Sequence, residues 1–548
     1  KITFTYLLKF VNLFINTYNM KKTIIVAGLF FALIGNAQNT KRPDNWFNLD
    51  ASKNNVNGVS SERSYEELLK GKKSTTIIVG VLDSGVDYNH EDLKDVMWTN
   101  PGEIPGNGID DDKNGYIDDI HGWNFIGNKD GRNVEVDNLE ITRVYKALSD
   151  KYKGKTEADL KTKAEKKEFK YYQVVKADYE KEFSQNEAQV NQYKFIRDAV
   201  QTVVDNIKKS RDGNVVTEED LKKYEPKEQK EKQGKMIALA QAKSGMMPEE
   251  LISELNGAIK SMESSRLDLN GDTRAIVGDN YNDLYEKNYG NADCKGPGAL
   301  HGTHVAGIIA AARNNKIGMD GVADNVKIMA VRCVPDGDER DKDIANAIRY
   351  AVDNGAVILN MSFGKKYSPG KKVVDEAVKY AESKGVLLIH AAGNSSDDID
   401  EIVHYPCKKM ENGKTAPNFI DVSALRWQPE EEIAADFSNY VKKTVDIFAP
   451  GVDIYSTIPE NKYKNESGTS MAAPVVAGVA AVLKSYFPTL TPKELKKILL
   501  KSSVKAYKDK KVIKPGTKDE MIEFGELSKT GGIVNLYEAI LLAQKMTK

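Results

Sequence analysis

Short, continuously apolar runs recur along the chain, and segments with helical periodicity separate them. The runs are TTIIVGV (75–81), VKIMAVRC (326–333), AVILNMSFG (356–364), GVLLIHAAGN (385–394) and FIDVSAL (419–425). Runs of this length that are rich in β-branched residues are typical of buried parallel strands. The intervening segments 341–355 and 370–385 place apolar residues at helical spacing and end on glycine, which is favoured at helix C-termini.

Strands that alternate with helices predict a three-layer α/β fold, with a mostly parallel central sheet and helices on both faces. In sheets of this kind, sites form at the carboxyl ends of the strands. Asp83, Ser362 and Asn394 are polar residues at or just after the ends of three of the apolar runs. They are therefore the first candidates for chemistry.

Residues 138–266 differ in composition, because Lys and Glu dominate there and apolar residues recur at helical spacing. This pattern predicts two or more long charged helices, inserted between two parts of the α/β body at 73–137 and 267–548. Two roles stay open for the insertion. It is either a lid or subdomain packed on the main body, or a solvated spacer with no part in the chemistry.

The bulk composition narrows the class of protein. The chain has 548 residues and a formal net charge of −1. It therefore lacks the excess of positive charge that would indicate binding to nucleic acid. Its aliphatic, aromatic and glycine content is typical of a globular enzyme. Cys294, Cys333 and Cys407 are an odd number of cysteines, so they cannot all pair within one chain. Disulfides are therefore not expected to hold the fold together.

Met20 opens the sequence MKKTIIVAGLFFALIGNAQ, with two lysines, an apolar stretch and then small residues. This layout predicts a secretory signal peptide cut after Ala37, so that 1–37 contains upstream residues plus the signal peptide. Residues 38–72 would form a short N-terminal extension or pro-segment. No other segment reaches the roughly 18 apolar residues of a membrane helix. We expect an exported protein, secreted or periplasmic, with no stable membrane span in its mature form.

Three segments in chain order carry the residue types needed for nucleophilic catalysis, and they contain Asp83, His301 and Ser470. A serine hydroxyl is a poor nucleophile at neutral pH unless a neutral imidazole takes its proton, and a buried carboxylate must hold that imidazole in the right tautomer. Ser470 precedes an apolar helical run, so we expect it at the positive end of a buried helix. The amide of Asn394 would donate to a developing oxyanion beside the Ser470 N–H group.

His301 and His304 lie three positions apart in HGTHVAG, and this spacing alone leaves open a metal-ligand pair, a base with its companion, or two packed side chains. A metalloprotease helix of the HExxH type would have a glutamate after the first histidine, and none is present here. We therefore interpret His301 as the general base and His304 as a structural neighbour. His390 and His404 are interpreted as structural.

Four motifs together resemble those of the subtilisin-like serine proteases, the subtilases. They are DSGVD around Asp83, HGTHVAG with His301, AAGN with Asn394 and GTSMAAP with Ser470. The resemblance covers about 73–130 and about 290–490. It implies that Asp83, His301 and Ser470 form a catalytic triad and that Asn394 is the oxyanion donor.

The resemblance also implies a substrate site. Ser362, Phe363 and Gly364 would form one wall of the primary specificity pocket, and the other wall would be formed by Ala391, Ala392 and Gly393. Extended backbone at these positions would pair with polypeptide substrates as an added strand. The implied activity is that of a secreted serine endopeptidase, which needs no cofactor for its chemistry.

A second hypothesis is a non-catalytic peptide-binding or surface-interaction protein on a protease scaffold, in which the helical insertion does the work. The intact set of triad residues argues against it. An α/β-hydrolase esterase is a third hypothesis, but that fold requires the chain order Ser, Asp, His, whereas the order here is Asp, His, Ser. The oligomeric state is left open by the sequence.

The segment NGIDDDKNGYIDDIHGWNF (107–125) carries alternating oxygen ligands. They are Asp110, Asp112, Asn114 and Asp118. The spacing matches the first half of an EF-hand-type calcium loop, although His121 stands where such a loop has its final glutamate. The sequence therefore predicts a structural calcium site here, with a simple acidic turn as the alternative.

Overall fold

The structure is a computed structural model that describes residues 42–210, 215–243, 245–263, 265–428 and 431–547. The predicted signal peptide within 1–37 lies outside these residues. The described chain divides into two compact units. One is Lys176–Ser264, and the other combines Arg42–Val175 with Ser265–Lys548.

Thirteen α-helices lie within the described residues. They are α1 (Ala51–Asn54), α2 (Ser61–Ser64), α3 (Glu140–Tyr152), α4 (Lys163–Lys209), α5 (Glu218–Lys223), α6 (Gln229–Lys243), α7 (Pro248–Glu263), α8 (Leu300–Ala310), α9 (Asp341–Asp353), α10 (Lys371–Ser383), α11 (Thr469–Tyr486), α12 (Pro492–Lys501) and α13 (Leu536–Met546).

Seven parallel strands form the central sheet of the larger unit. They are β1 (Ile77–Asp83), β2 (Gly122–Asn124), β3 (Val326–Arg332), β4 (Ala356–Met361), β5 (Leu387–Ala391), β6 (Phe419–Leu425) and β7 (Ile447–Pro450). Their order is β2-β3-β1-β4-β5-β6-β7. Strand β1 lies between β3 and β4 and pairs in parallel with both. The predicted α/β fold with a parallel sheet is confirmed.

Helices cover both faces of this sheet, because successive side chains of a strand point to opposite faces. Val81 of β1 belongs to a buried apolar cluster with residues of α8 and α11. The next residue, Leu82, belongs to a second cluster with residues of α9 and α10. Burial of apolar side chains on both faces explains why the strands read as continuous apolar runs rather than as alternating ones.

All five runs predicted as strands form strands of this sheet, but two of these strands end three residues before the predicted run does. The run 356–364 leaves the sheet after Met361, and the run 385–394 leaves it after Ala391. The pattern did not reveal β2 or β7, which have three and four residues. It also missed two antiparallel hairpins, β8 (Ile454–Ile458) with β9 (Lys462–Glu466), and β10 (Lys511–Ile513) with β11 (Met521–Glu523).

Helix α11 is the one helix in the described part of the chain that has the length and apolar composition of a membrane span, and 83% of it is buried inside the protein. It packs against α8 and against strands β4 to β7. Its apolar character is therefore explained by its position in the core of the larger unit.

The described part of the N-terminal extension packs into the same core. Trp46 and Phe47 are fully buried there, together with Val59. The backbone N–H of Asn57 donates to the carbonyl of Trp427 at 2.9 Å. The side chain of Trp46 donates to the backbone of Asp453 at 3.3 Å. These contacts make the residues from 46 onward part of the folded body.

The predicted charged insertion is helical, as expected. Its central part forms the smaller unit, in which α5, α6, α7 and the second part of α4 enclose their own apolar core. At Gly234 of α6, an added Cβ would lie 2.2 Å from the carbonyl oxygen of Ala199 in α4, so these two helices approach closely. The first part of α4 and all of α3 belong to the larger unit. The sequence-based boundaries 138–266 stay a prediction.

Candidate active site

Asp83 and His301 form a hydrogen-bonded pair at the carboxyl end of the central strand. Asp83 is the last residue of β1 and is 2% exposed. Its Oδ1 atom lies 2.7 Å from Nδ1 of His301, in the first turn of α8. Burial disfavours the imidazolium, but the attraction of Asp83 and its hydrogen bond outweigh that effect and raise the pKa of His301 above its ordinary value.

A glycine makes this pair sterically feasible. A Cβ added at Gly302 would lie 2.2 Å from the carbonyl oxygen of Gly85 and 3.1 Å from Cβ of Asp83. Gly85 itself has a φ of +116°, which is favourable only for glycine, and a Cβ there would lie 2.0 Å from the carbonyl oxygen of Lys295. The start of α8 therefore rests directly on the turn that follows β1.

Ser470 lies in the first turn of α11, where backbone N–H groups have no partner within the helix. Pro474 is four residues further along the same helix and has no N–H group, so the carbonyl of Ser470 loses its usual helical partner. The hydroxyl of Ser362 donates to that carbonyl at 2.9 Å instead. The segment after β4 is thereby fixed to the start of α11.

The Ser470 hydroxyl donates to the carbonyl of Ser362 at 3.2 Å, and within the described residues it forms no hydrogen bond with His301. Ser362 and His301 line one cleft of about 620 Å³, and α8 packs against α11. Hydrogen bonds between catalytic groups are often long or poorly aligned without substrate. The structure thus brings the serine into the neighbourhood of the Asp83–His301 pair without closing the serine–histidine contact.

Asn394 is oriented by the residue that precedes the serine. Its side-chain oxygen accepts from the N–H group of Thr469 at 2.8 Å and from the Thr469 hydroxyl at 2.9 Å. Because the oxygen is fixed in this way, the NH₂ group points elsewhere. A Cβ added at Gly468 would lie 3.5 Å from Nδ2 of Asn394 and 3.6 Å from the backbone nitrogen of Ser470. The two donors therefore border the same space, as an oxyanion site requires.

The two predicted pocket walls follow adjacent strands. Ser362, Phe363 and Gly364 come directly after β4, while Ala391, Ala392 and Gly393 end β5 and continue beyond it. Gly393 has a φ of +102°, and a Cβ there would lie 2.4 Å from Nδ2 of Asn439. That amide donates to the carbonyl of Ala392 at 2.8 Å, so the second wall has a fixed backbone path.

His304 faces the core, where its ring contacts the backbone of a neighbouring strand. It is fully buried, and its Nε2 atom lies 3.0 Å from the carbonyl oxygen of Lys464 in β9. Burial lowers the pKa of His304 to about 3, so the ring is neutral. This geometry supports its interpretation as a structural neighbour.

All three cysteines are free thiols. Cys294 and Cys333 are buried, and burial raises the pKa of the Cys294 thiol to about 12. Because the thiolate is the reactive form, Cys294 is unsuited to be a nucleophile.

In the acidic loop at 107–125, some carboxylates accept hydrogen bonds from the loop backbone, and others converge on one another. Asp110 accepts from the backbone of Asn114 and Gly115 at 3.0 and 2.8 Å, and Asp118 accepts from Gly106 and Gly108 at 2.7 and 2.8 Å. Asn114 donates to Asp112 at 3.2 Å and to Asp119 at 3.1 Å. The ligand atoms that lie within 4.8 Å of one another belong to Glu103, Asp112 and Asp119.

The candidate site lies at the carboxyl ends of β1, β4 and β5 in a parallel α/β fold. The chain matches the model of the subtilase family over residues 74–525 and belongs to that family, which confirms the resemblance seen in the motifs. It is 44% identical over 187 residues to the thermophilic serine proteinase of Bacillus sp. (strain AK1), covering 34% of this chain and 42% of that protein. It is 39% identical over 190 residues to thermitase of Thermoactinomyces vulgaris, covering 34% of this chain and 61% of that protein.

Subtilisin DY of Bacillus licheniformis is 36% identical over 198 residues, covering 36% of this chain and 67% of that protein. The chain therefore spans 42%, 61% and 67% of the lengths of these three relatives.

Several residues that build this site were not identified from the sequence. Thr469, which orients Asn394, and Pro474, which frees the Ser470 carbonyl, both lie inside the motif that suggested the serine. Gly302 lies inside the histidine motif. For Gly302 and Pro474 the signal was a glycine or a proline at an otherwise helical position.

The close approach at Gly302 can be tested by the substitution Gly302→Ala. Alanine is favoured over glycine in a helix by about 0.8–1.0 kcal/mol, yet its methyl group would push α8 away from Asp83. We expect any activity that depends on His301 to fall about 10²-fold, the effect of a ~1 Å misplacement. Rate assays and thermal melts measure this. Gly257→Ala in α7 is the matched control, because nothing lies within 4 Å of a Cβ there. Unchanged activity in Gly302→Ala would contradict the steric argument.

Proposed function

We propose that the protein is a serine endopeptidase that hydrolyses peptide bonds in polypeptides through Asp83, His301 and Ser470. The observation that carries the proposal is the 2.7 Å hydrogen bond between Asp83 and His301. The pair lies in the cleft that Ser362 also lines, and His301 belongs to the helix that packs against α11, whose second residue is Ser470. Membership of the subtilase family supports it.

In the proposed reaction, Nε2 of His301 takes the Ser470 proton as Oγ bonds to the substrate carbonyl carbon. The carbonyl oxygen then becomes an oxyanion that accepts from the Asn394 amide and the Ser470 N–H group. Breakdown of this intermediate breaks the carbon–nitrogen bond, and the leaving amine takes the proton from His301. Water then attacks the acyl-enzyme, giving its proton to His301, and Ser470 recovers it as the acid leaves.

The proposed substrate path uses the two walls after β4 and β5. An extended polypeptide would lie along their backbone as an added strand, a mode that binds main chain and tolerates many side chains. The Ser470 carbonyl already accepts from Ser362. This hydrogen bond would keep the first wall, which contains Ser362, at a constant distance from Ser470.

We propose that the protein acts outside the cytoplasm, after cleavage behind Ala37. The basic start, apolar stretch and small residues of 20–38 support this proposal. The extension from 38 would stay with the mature protein at least from residue 46, since Trp46 and Phe47 are fully buried in the main core.

The activity can be tested with an unstructured polypeptide substrate. We expect hydrolysis by the wild-type protein, and none above background after Ser470→Ala. Asn394→Ala should lower kcat about 10²- to 10³-fold, the range known for the oxyanion amide of another subtilase. Ser467→Ala, three residues earlier, is the matched control and should stay active. Hydrolysis that persists in Ser470→Ala, or its absence from folded wild-type protein, would refute the proposed function.

We also propose a structural calcium ion at the acidic loop. The carboxylates of Glu103, Asp112 and Asp119 converge within 4.8 Å. In the described part of the chain, their hydrogen-bond donors are backbone N–H groups, asparagine amides and a tyrosine hydroxyl rather than basic side chains. Oxygen donors of this kind are those that calcium prefers. Of the residues expected from the sequence, Asp112 belongs to this group, while Asp110, Asn114 and Asp118 would support the loop around the ion.

Removal of calcium should lower the melting temperature by a few degrees, because an ion that binds only the folded state stabilises it. Melts with and without excess chelator measure the shift, and Asp112→Asn should abolish most of it. Asp272→Asn, in the separate acidic turn at 268–272, is the control and should keep the full response. A wild-type melt that does not change on chelation would identify the loop as a simple acidic turn.

A further inference from the structure

A buried histidine–aspartate pair, separate from Asp83 and His301, lies beside the proposed substrate pocket. His390 of β5 is 2% exposed, and its Nδ1 atom lies 2.9 Å from Oδ1 of Asp421 in the neighbouring strand β6. On its other side, Nε2 of His390 lies 3.0 Å from the carbonyl oxygen of Phe363. Because a carbonyl only accepts, Nε2 carries the proton of this bond. The triad does not use this pair.

The position of His390 joins the two walls of the pocket. His390 directly precedes Ala391, where the second wall begins, and Phe363 is the middle residue of the first wall. The hydrogen bond from Nε2 of His390 to the Phe363 carbonyl therefore links β5, which leads into the second wall, to the backbone of the first wall. A change in its length would change the distance between the walls.

The His390 ring is held in place by Asp421, which belongs to a chain of buried ion pairs. Nζ of Lys408 lies 3.2 Å from Oδ2 of Asp421 and 2.7 Å from Oδ2 of Asp446. Nζ of Lys496 lies 3.3 Å from the same Asp446 oxygen. Charged groups that are buried and paired in this way hold one arrangement, since separating any pair leaves a buried charge without a partner.

The first wall has little freedom to move independently of this ring. A Cβ added at Gly364 would lie 3.2 Å from the carbonyl oxygen of Tyr405 and 3.7 Å from Nε2 of His390. The backbones of Lys365 and Tyr405 exchange hydrogen bonds of 2.9 and 2.8 Å. The segment after β4 is therefore held at Ser362 by α11, at Phe363 by His390 and at Lys365 by Tyr405.

We propose that His390 is a positioning residue that sets the width of the primary specificity pocket by holding the Phe363 carbonyl. This inference rests on the proposed function, because it concerns the pocket of the same site. A pocket of fixed width discriminates between substrate side chains by size, whereas one with a loose wall accepts large and small side chains more equally. His390 should therefore govern selectivity for the residue before the cleaved bond.

Binding to the inactive Ser470→Ala protein tests this without turnover. Two peptides that end at the residue before the cleaved bond, one with Phe and one with Ala there, would be compared by their dissociation constants. In this background, His390→Leu should change the ratio of the two constants about three- to tenfold toward unity, the size expected from losing one buried hydrogen bond. An unchanged ratio in folded protein would overturn the proposal.

Two further variants separate the two hydrogen bonds of the ring. The amide of Gln reaches the position of Nε2 and can still donate to Phe363, whereas the amide of Asn reaches only the position of Nδ1. We expect His390→Gln to retain the wild-type ratio and His390→Asn to lose it. This comparison decides the question if His390→Leu does not fold. Equal ratios in the Gln and Asn variants would overturn the proposal.

A general loosening of the core is the competing explanation, and Ile389→Val controls for it. Ile389 is the preceding residue of β5 and is fully buried, so its truncation weakens the same strand without touching Phe363. The binding ratio should be unchanged in this variant, and a shift equal to that of His390→Asn would overturn the proposal. If the wild-type protein hydrolyses nothing but the ratio still depends on His390, the proposed function fails while the pocket role stands.

Discussion

The site depends on the contact between the start of α8 and the turn that follows β1. The strand delivers a buried carboxylate, Asp83, to the edge of the sheet, and the helix delivers His301 to within 2.7 Å of it. Only glycine at 302 lets the helix come so close, because any side chain would meet the carbonyl of Gly85. The result is an imidazole in a fixed orientation whose pKa is raised by its partner, although the ring is partly desolvated.

The first turn of α11 organises the other half of the site. Pro474 removes one helical hydrogen bond, and the freed carbonyl of Ser470 accepts from Ser362. Thr469 fixes the oxygen of Asn394 and leaves its NH₂ group available. One helix end thus positions the proposed nucleophile, one proposed pocket wall and the proposed oxyanion donor, and this arrangement uses Thr469 and Pro474 of the serine motif.

The sequence predicted the sheet well because burial on both faces makes each long strand a continuous apolar run. It did not predict β2 or β7, since strands of three or four residues are too short to show a period. It suggested Asp83, His301, Asn394 and Ser470 as site residues through motifs, but it did not reveal which contacts hold them in place. His390 illustrates the limit. A lone histidine inside an apolar strand is interpreted as structural, and only the fold shows that it contacts both Asp421 and Phe363.

The central claim is that the Asp83–His301 pair activates Ser470. The most direct measurement is the rate at which a fluorophosphonate labels the protein from about pH 9 down to about pH 4, with the adduct located by peptide mass mapping. A general base must be neutral, and Asp83 raises the pKa of His301 above its ordinary value. We therefore expect an adduct on Ser470 whose formation slows as the pH falls, with a midpoint above the ordinary pKa of histidine, about 6.5, and with a lower midpoint in Asp83→Asn. A rate that stays flat across this range, or an adduct on another residue, would contradict it.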